Sequence, residues 1–237
     1  MTRGPVEAVL FDLDDTLYRE LDFVAGGFRA AAALVTGRSG RSIDDLVTRM
    51  FEIHGEDGRG RIFDRLLEEL GCWDDALVRA MLLTYRAHPS RIRPFDDVPP
   101  VLERLRARGV RLGIVTDGLA SVQRRKLDAL GLAPQFDAIV PTDELGPGAV
   151  KPAPTGFRVA LLLLGIPTER AGHVAYVAND TRKDFAGARA AGLVTIRVRD
   201  LPDEGGPGIP APTGPIEDAD CVAEPFETLL DVLESRA

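Results

Sequence analysis

Cysteine is scarce in this chain, with only Cys72 and Cys221 among 237 residues. Two distant cysteines make neither a disulfide framework nor a metal-ligand spacing, and such sparse use is expected of free thiols in a reducing cytosol. Histidine occurs at three positions, His54, His88 and His173, again without ligand spacing. No apolar stretch has the length of a signal peptide or a bilayer span, so a cytoplasmic protein with no membrane partner is expected. No block of basic residues occurs and the net charge is −8, which argues against a nucleic-acid partner, since phosphate backbones need a positive surface. Lysine is nearly absent too. Of 29 basic residues only Lys126, Lys151 and Lys183 are lysines. Where arginine is the default, a lysine that is kept points to a need for a compact, single-point ammonium.

What is present is ordinary for a globular chain: 45% hydrophobic and 28% charged residues. A chain this long buries roughly three quarters of its unfolded surface and needs no disulfide or structural metal. The segment Ala8-Val9-Leu10-Phe11 is continuously apolar and runs into Asp12-Leu13-Asp14-Asp15. Short apolar runs without alternation predict strands buried on both faces. Similar runs recur at 110–116, 136–140, 173–178 and 193–198. Amphipathic stretches at 98–108, 119–130, 154–164 and 182–191 lie between them, and Gly109, Gly131, Gly165 and Gly192 stand just past these helices as C-terminal stops. The alternation predicts a Rossmann-like, doubly wound α/β fold with a parallel sheet.

One segment breaks the alternation. Residues 18–93 show helical periodicity only, in four stretches, with Ser42 as an N-cap for the second and Phe23, Phe28, Phe51 and Phe63 as bundle core. The expected organisation is a catalytic core made of residues 1–17 and 94–237, with a helical-bundle cap of residues 18–93 inserted after the first strand. Residues 202–215, rich in Pro and Gly, are expected to form an irregular loop, followed by a short apolar piece at 221–223 and a last helix from about Pro225.

In an open α/β sheet, ligands bind beyond the carboxyl ends of the strands. The residues delivered there are Asp12, Asp14 and Asp15 from the first strand, Thr116, Asp117 and Gly118 from the second, Lys151 after the third, and Asn179, Asp180 and Asp184 around the end of the fourth. Asp12 and Asp14 are two apart, so in extended chain their side chains share a side. Carboxylates gathered this closely call for a cation, and a hard, oxygen-liganded ion such as Mg²⁺ suits them. Asp12 is then the candidate nucleophile toward phosphorus. Asp14 is the candidate acid and base for the leaving oxygen and the attacking water. Thr116 and Lys151 are candidate stabilisers of phosphoryl charge, and Gly118 lets backbone approach the phosphate.

These four segments, Asp12-Leu13-Asp14-Asp15-Thr16, Thr116, Lys151 and Asp180…Asp184, resemble in order and spacing the motifs of the haloacid dehalogenase superfamily. The resemblance implies a phosphatase that forms an aspartyl-phosphate on Asp12. It implies phosphate binding by Leu13, Asp14, Thr116, Asp117, Gly118 and Lys151. It also implies Mg²⁺ held by Asp12, the Asp14 backbone carbonyl and Asp180, with Asp184 supporting through water or a hydrogen bond. Dehalogenase members lack the second aspartate, here Asp14, and mutases carry an aliphatic residue where Thr16 stands; both positions favour a phosphatase. A small phosphate ester (sugar phosphate, nucleotide or phosphoglycolate-like acid) is the implied substrate. The alternatives are a phosphomutase or a catalytically silent binding protein on the same scaffold. A response-regulator receiver domain shares the Asp, Thr and Lys but is about half as long and has no helical insert. Two positions depart from the family pattern: Asp117 stands for the usual Asn and Asn179 for the usual Gly. Asp117 is expected to read the organic part of the substrate, Lys126 and Lys183 to lie on the surface, and Asp15 and Tyr18 to shape the entrance to the cap. Nothing in the sequence sets the oligomeric state.

Overall fold

The computed structural model describes residues 4–199 and 218–235, so the loop expected at 202–215 lies outside the described residues. Contacts divide these residues into two compact units, one running to Arg19 and resuming at Ile92, the other comprising Glu20–Arg91.

The second unit is helical throughout, as its period requires. It contains α1 (Glu20–Ala32), the single turn α2 (Thr36–Ser39), α3 (Ile43–Asp57), α4 (Ile62–Glu69) and α5 (Asp75–Ala87). Ser42 starts α3 with a reciprocal box: its hydroxyl accepts from the Asp45 N–H at 3.1 Å while Asp45 accepts from the Ser42 N–H at 3.3 Å. Asp74 caps α5 by accepting from the Leu77 N–H at 2.8 Å. Such caps satisfy backbone donors that a first helical turn leaves open. The core is aromatic. The Phe28 ring lies 5.1 Å from Phe51, 6.2 Å from Phe63 and 5.8 Å from Tyr85. α1 and α5 approach closely because Gly27 carries no side chain; a Cβ there would sit 2.4 Å from Tyr85 Cδ2. A cavity of about 260 Å³ within this unit is lined by Phe28, Phe63, Tyr85 and His54, among others. The Nε2 of His54 is buried with no hydrogen-bond partner among the described residues.

The first unit holds the sheet: β1 (Ala8–Phe11), α6 (Val98–Ala107), β2 (Arg111–Thr116), α7 (Ala120–Ala129), β3 (Ala138–Pro141), α8 (Thr155–Leu163), β4 (Val174–Ala178), α9 (Phe185–Ala190), β5 (Val194–Arg197), β6 (Cys221–Val222) and α10 (Leu229–Glu234). The six strands run in the order β3-β2-β1-β4-β5-β6, and every pairing is parallel. β1 is completely buried, which explains its unbroken apolar sequence. Leu10, Val115, Phe157, Tyr176 and Phe185 belong to one core cluster of this unit.

Register places the chemistry. Phe11 stands opposite Ile114 of β2 and Val177 of β4, so Asp12, Thr116 and Asn179 all emerge at one edge. The chain winds from β1 to β3 in one direction and then crosses back to β4. This reversal is where open α/β sheets form a crevice. The four expected helix-ending glycines all adopt left-handed backbone, with φ between 64° at Gly165 and 87° at Gly192. The helix expected from Arg182 begins only at Phe185. A turn closed by the Asp184 N–H on the Asp180 carbonyl, at 3.0 Å, occupies the intervening residues.

Candidate active site

Asp12 lies one residue past β1, yet its N–H still bonds the Val177 carbonyl at 3.0 Å, so strand geometry holds its backbone. Its side chain is buried. The Lys151 ammonium, fully enclosed, donates to Asp12 Oδ1 at 2.8 Å, to Asp184 Oδ1 at 2.7 Å and to the Tyr176 hydroxyl at 3.0 Å. All three donors of the ammonium are thereby used. The Tyr176 hydroxyl in turn donates to Asp184 Oδ1 at 2.9 Å. Burial favours the neutral form of Asp12; Lys151 opposes this and Asp184 adds to it, leaving Asp12 at about 6. Burial likewise disfavours charge on Lys151, but Asp12 and Asp184 outweigh it and hold the lysine well above its ordinary range. Lys151 occupies a tight turn with a cis bond to Pro152. α9 backs directly onto this turn: a Cβ on Gly187 would lie 2.0 Å from the Pro152 carbonyl oxygen.

A second cluster surrounds Asp14. Lys126 Nζ donates to Asp14 Oδ1 at 2.7 Å and Gln123 Nε2 donates to Oδ2 at 2.9 Å. The Tyr18 hydroxyl also donates to Oδ1. The Gln123 amide also donates to the Thr116 hydroxyl oxygen at 2.7 Å. Burial alone would raise Asp14, but the Lys126 charge and the hydrogen bonds from Lys126, Tyr18 and Gln123 bring it down to about 2. Lys126 is thus not the surface residue expected from sequence: only 4% of it is exposed. Tyr18 is buried too, and it pairs with backbone at Asp14 and Pro94.

Lys183 is half-buried rather than exposed. Burial and Lys151 disfavour its charge, while Asp12, Asp184 and Asp180 favour it and leave it above the ordinary lysine value. Lys126 and Lys151 thus hold carboxylates of the acidic cluster directly, and that cluster favours the charge on Lys183.

Asp117 Oδ1 accepts from the Thr142 hydroxyl at 2.7 Å and from the Lys151 N–H at 3.1 Å. This oxygen is committed to the framework that carries Lys151, which favours a supporting role over the substrate-reading role expected from sequence. Gly118, with φ at 107°, follows in a conformation open to glycine, and Leu13 is fully buried. Thr16 donates to the Asn179 side chain at 3.2 Å, linking the first and fourth motifs. Asp184 Oδ2 accepts from the Asp180 N–H at 3.0 Å.

The Asp180 carboxylate is held by Arg182 through paired bonds of 2.7 and 2.9 Å. Burial would raise Asp180, but these Arg182 contacts bring it below its ordinary value. Among the described residues no three His, Cys, Asp or Glu side chains converge as a ready metal-ligand set. The donor chemistry still suits a hard cation that retains waters. Asp12 Oδ2 is a buried carboxylate oxygen with no hydrogen-bond partner among the described residues. Among the described residues, Asp180 Oδ2 accepts one bond, from Arg182, and keeps a lone pair with which it could join Asp12 at such an ion.

Gln123, Lys126, Tyr176 and Arg182 were not singled out as site residues from the sequence. A signal existed for Lys126 in the scarcity of lysine. Gln123 lies three residues before it on the same helical face, at a buried position where a polar side chain is unusual.

Comparison with known proteins points to one family. The family model of haloacid dehalogenase-like hydrolases matches residues 6–192. The chain belongs to that family. A glyceraldehyde 3-phosphate phosphatase of Methanopyrus kandleri is 37% identical over 82% of this chain and 84% of its own length. The corresponding phosphatase of Methanocaldococcus jannaschii is 32% identical over 81% and 85%. Among solved structures, a HAD phosphatase from Thermococcus onnurineus superposes with a TM-score of 0.64 at 25% identity, covering 96% of this chain and 97% of that one. The chain is thus an enzyme of the phosphoric monoester hydrolase type.

Proposed function

We propose that this enzyme hydrolyses a small phosphate monoester by way of an aspartyl-phosphate on Asp12. The observation that carries the reading is the state of Asp12: its Oδ1 is anchored by Lys151 at 2.8 Å while its Oδ2 has no partner among the described residues. A buried carboxylate so divided has one oxygen fixed and the other available to react.

A carboxylate oxygen of Asp12 attacks phosphorus as the ester P–O bond breaks, and Asp14 supplies the proton that the departing oxygen takes up. Water then attacks the phosphorus of the acyl phosphate, gives its proton to Asp14 and releases inorganic phosphate and free Asp12. Asp14 is anionic as found, at about 2. An incoming phosphate dianion favours its neutral form, because like charges raise a carboxylate. Thr116 donates to a phosphoryl oxygen, and Lys151 balances the charge shared by Asp12 and phosphate. Asp12, the Asp14 backbone carbonyl and Asp180 would hold Mg²⁺, with Asp184 in support. The ion would offset the negative charge gathered by carboxylates and phosphoryl oxygens.

The glyceraldehyde 3-phosphate phosphatases among its relatives favour a short sugar phosphate as substrate. The test is phosphate release from a panel of phosphorylated metabolites with Mg²⁺ and with EDTA, using Asp12→Asn as control. Metal-dependent release that disappears in the variant is the expected result. Release that persists in Asp12→Asn overturns the covalent route.

A further inference from the structure

We infer that Lys126 and Gln123 are positioning residues for the acid–base step, holding Asp14 and Thr116 in fixed relation to each other. The inference rests on the reading of Asp14 as the group that exchanges protons with the leaving oxygen.

Both side chains are buried, at 4% and 2% exposure. Polar groups of this size are rarely kept inside a protein without a paired role. They occupy α7 three residues apart and so project from one face. Each delivers a donor to a different oxygen of Asp14, at 2.7 and 2.9 Å. A carboxylate rotates freely about its last bond when only one oxygen is tethered; tethering both fixes its plane. The orientation of the Gln123 amide follows as well, because an ionised carboxylate can only accept and must face the nitrogen.

The same nitrogen places a hydrogen on Thr116 Oγ1 at 2.7 Å. A hydroxyl that accepts there keeps its own hydrogen to give elsewhere; its acceptor as found, the Asp117 carbonyl at 3.5 Å, is distant enough to be exchanged for a phosphoryl oxygen. One amide thus sets the plane of the proton-exchanging carboxylate and the donor sense of the phosphate-binding hydroxyl. Lys126 supplies a single-point ammonium that the broader arginine fork does not mimic, and lysine survives here in a chain that otherwise uses arginine.

Leaving-group dependence in the full-length enzyme with Mg²⁺ tests the inference. Gln123→Met and Lys126→Met keep side-chain length and remove the donors. Each is assayed on an aryl ester, p-nitrophenyl phosphate, whose leaving group needs little protonation, and on the best alkyl ester from the panel, which needs it. The ratio kcat/KM reports the step that expels the leaving group. The expected result for Lys126→Met is a loss of about 10–100-fold on the alkyl ester against less than about 5-fold on the aryl ester, a part of the ~10²–10⁴-fold that a positioned general acid contributes. Gln123→Met, which also releases the Thr116 hydroxyl, adds a loss common to both esters and keeps the same excess on the alkyl ester. Equal losses on both esters mean that the residues only support the fold, and unchanged rates mean that they do not matter; either overturns the inference. If Lys126→Met fails to fold, the ester selectivity of Gln123→Met decides. A wild type that releases phosphate from neither ester would instead sink the phosphatase reading itself, and the two failures are thereby distinguished.

Discussion

Asp12 sits at about 6 because burial outweighs the Lys151 charge beside it. A proton and a cation then compete for the same carboxylate, and metal binding requires the deprotonated form. Apparent Mg²⁺ affinity is expected to weaken as pH falls through about 6 and to level off above it, as read by calorimetric titration. A pH-independent affinity across that window would rule out Asp12 as a ligand. Asp117 gives a second residue-level outcome. Asp117→Asn retains a carbonyl oxygen for the Thr142 hydroxyl and the Lys151 N–H, so stability and substrate ranking should hardly change. Asp117→Ala leaves both donors unpaired, and chemical denaturation should show a loss of about 1–3 kcal/mol. A changed substrate ranking in Asp117→Asn would restore the substrate-reading role. The position of Asp117 in its motif was legible in sequence, but the target of its side chain was not, because Thr142 and Lys151 come near only when the sheet assembles.

The helices of Glu20–Arg91 were legible for local reasons: apolar residues return every three or four positions, and Ser42 closes a box with Asp45. The same periodicity is silent about what a polar residue on an inner face meets. His54 on α3 illustrates this. Burial first, and then the Arg59 charge, hold it below its ordinary value of 6.5, against the opposing pull of Glu20. The folded unit therefore disfavours the protonated form of His54, and the unfolded chain takes up the proton earlier as pH falls. Its contribution is complete above 6.5 and is lost as pH drops below that value, since stability falls wherever the unfolded state binds more protons. Thermal melts of the wild type should fall from about pH 7 to about pH 5.5, and His54→Leu should flatten that slope. An unaltered slope in the variant would assign the acid sensitivity to other groups. On α7 the failure ran the other way: Lys126 looked like a polar-face residue, and its partner Asp14 lies 112 positions earlier in the chain.

At the level of the whole molecule, the fold class and the convergence of Asp12, Thr116, Lys151 and Asp180 on one edge could be read from strand order. Strands buried on both faces reveal themselves in composition, and parallel connection leaves few topologies. The Arg182 contact to Asp180 could not be read, because it is a choice of side-chain partner within one turn. If Mg²⁺ binds as proposed, it should stabilise the wild type by mass action, by about 2.7 kcal/mol at a hundredfold excess over Kd, and raise its melting temperature accordingly. It should do so hardly at all in Asp12→Asn, and a shift equal in both would place the metal elsewhere.

The position of β1 in the centre of the sheet has a consequence for how the protein is made. Its partners begin at Arg111 and Val174, after the whole of the helical unit in sequence. At roughly 5–20 residues per second, the ribosome finishes the second partner about ten to thirty seconds after β1 has emerged. Until β2 emerges β1 has no strand to pair with, and until β4 emerges one of its edges stays open, while the helices that follow it can already pack. The nascent chain therefore carries the segment bearing its future nucleophile as an exposed, chaperone-ready stretch until the last third of synthesis closes the sheet around it.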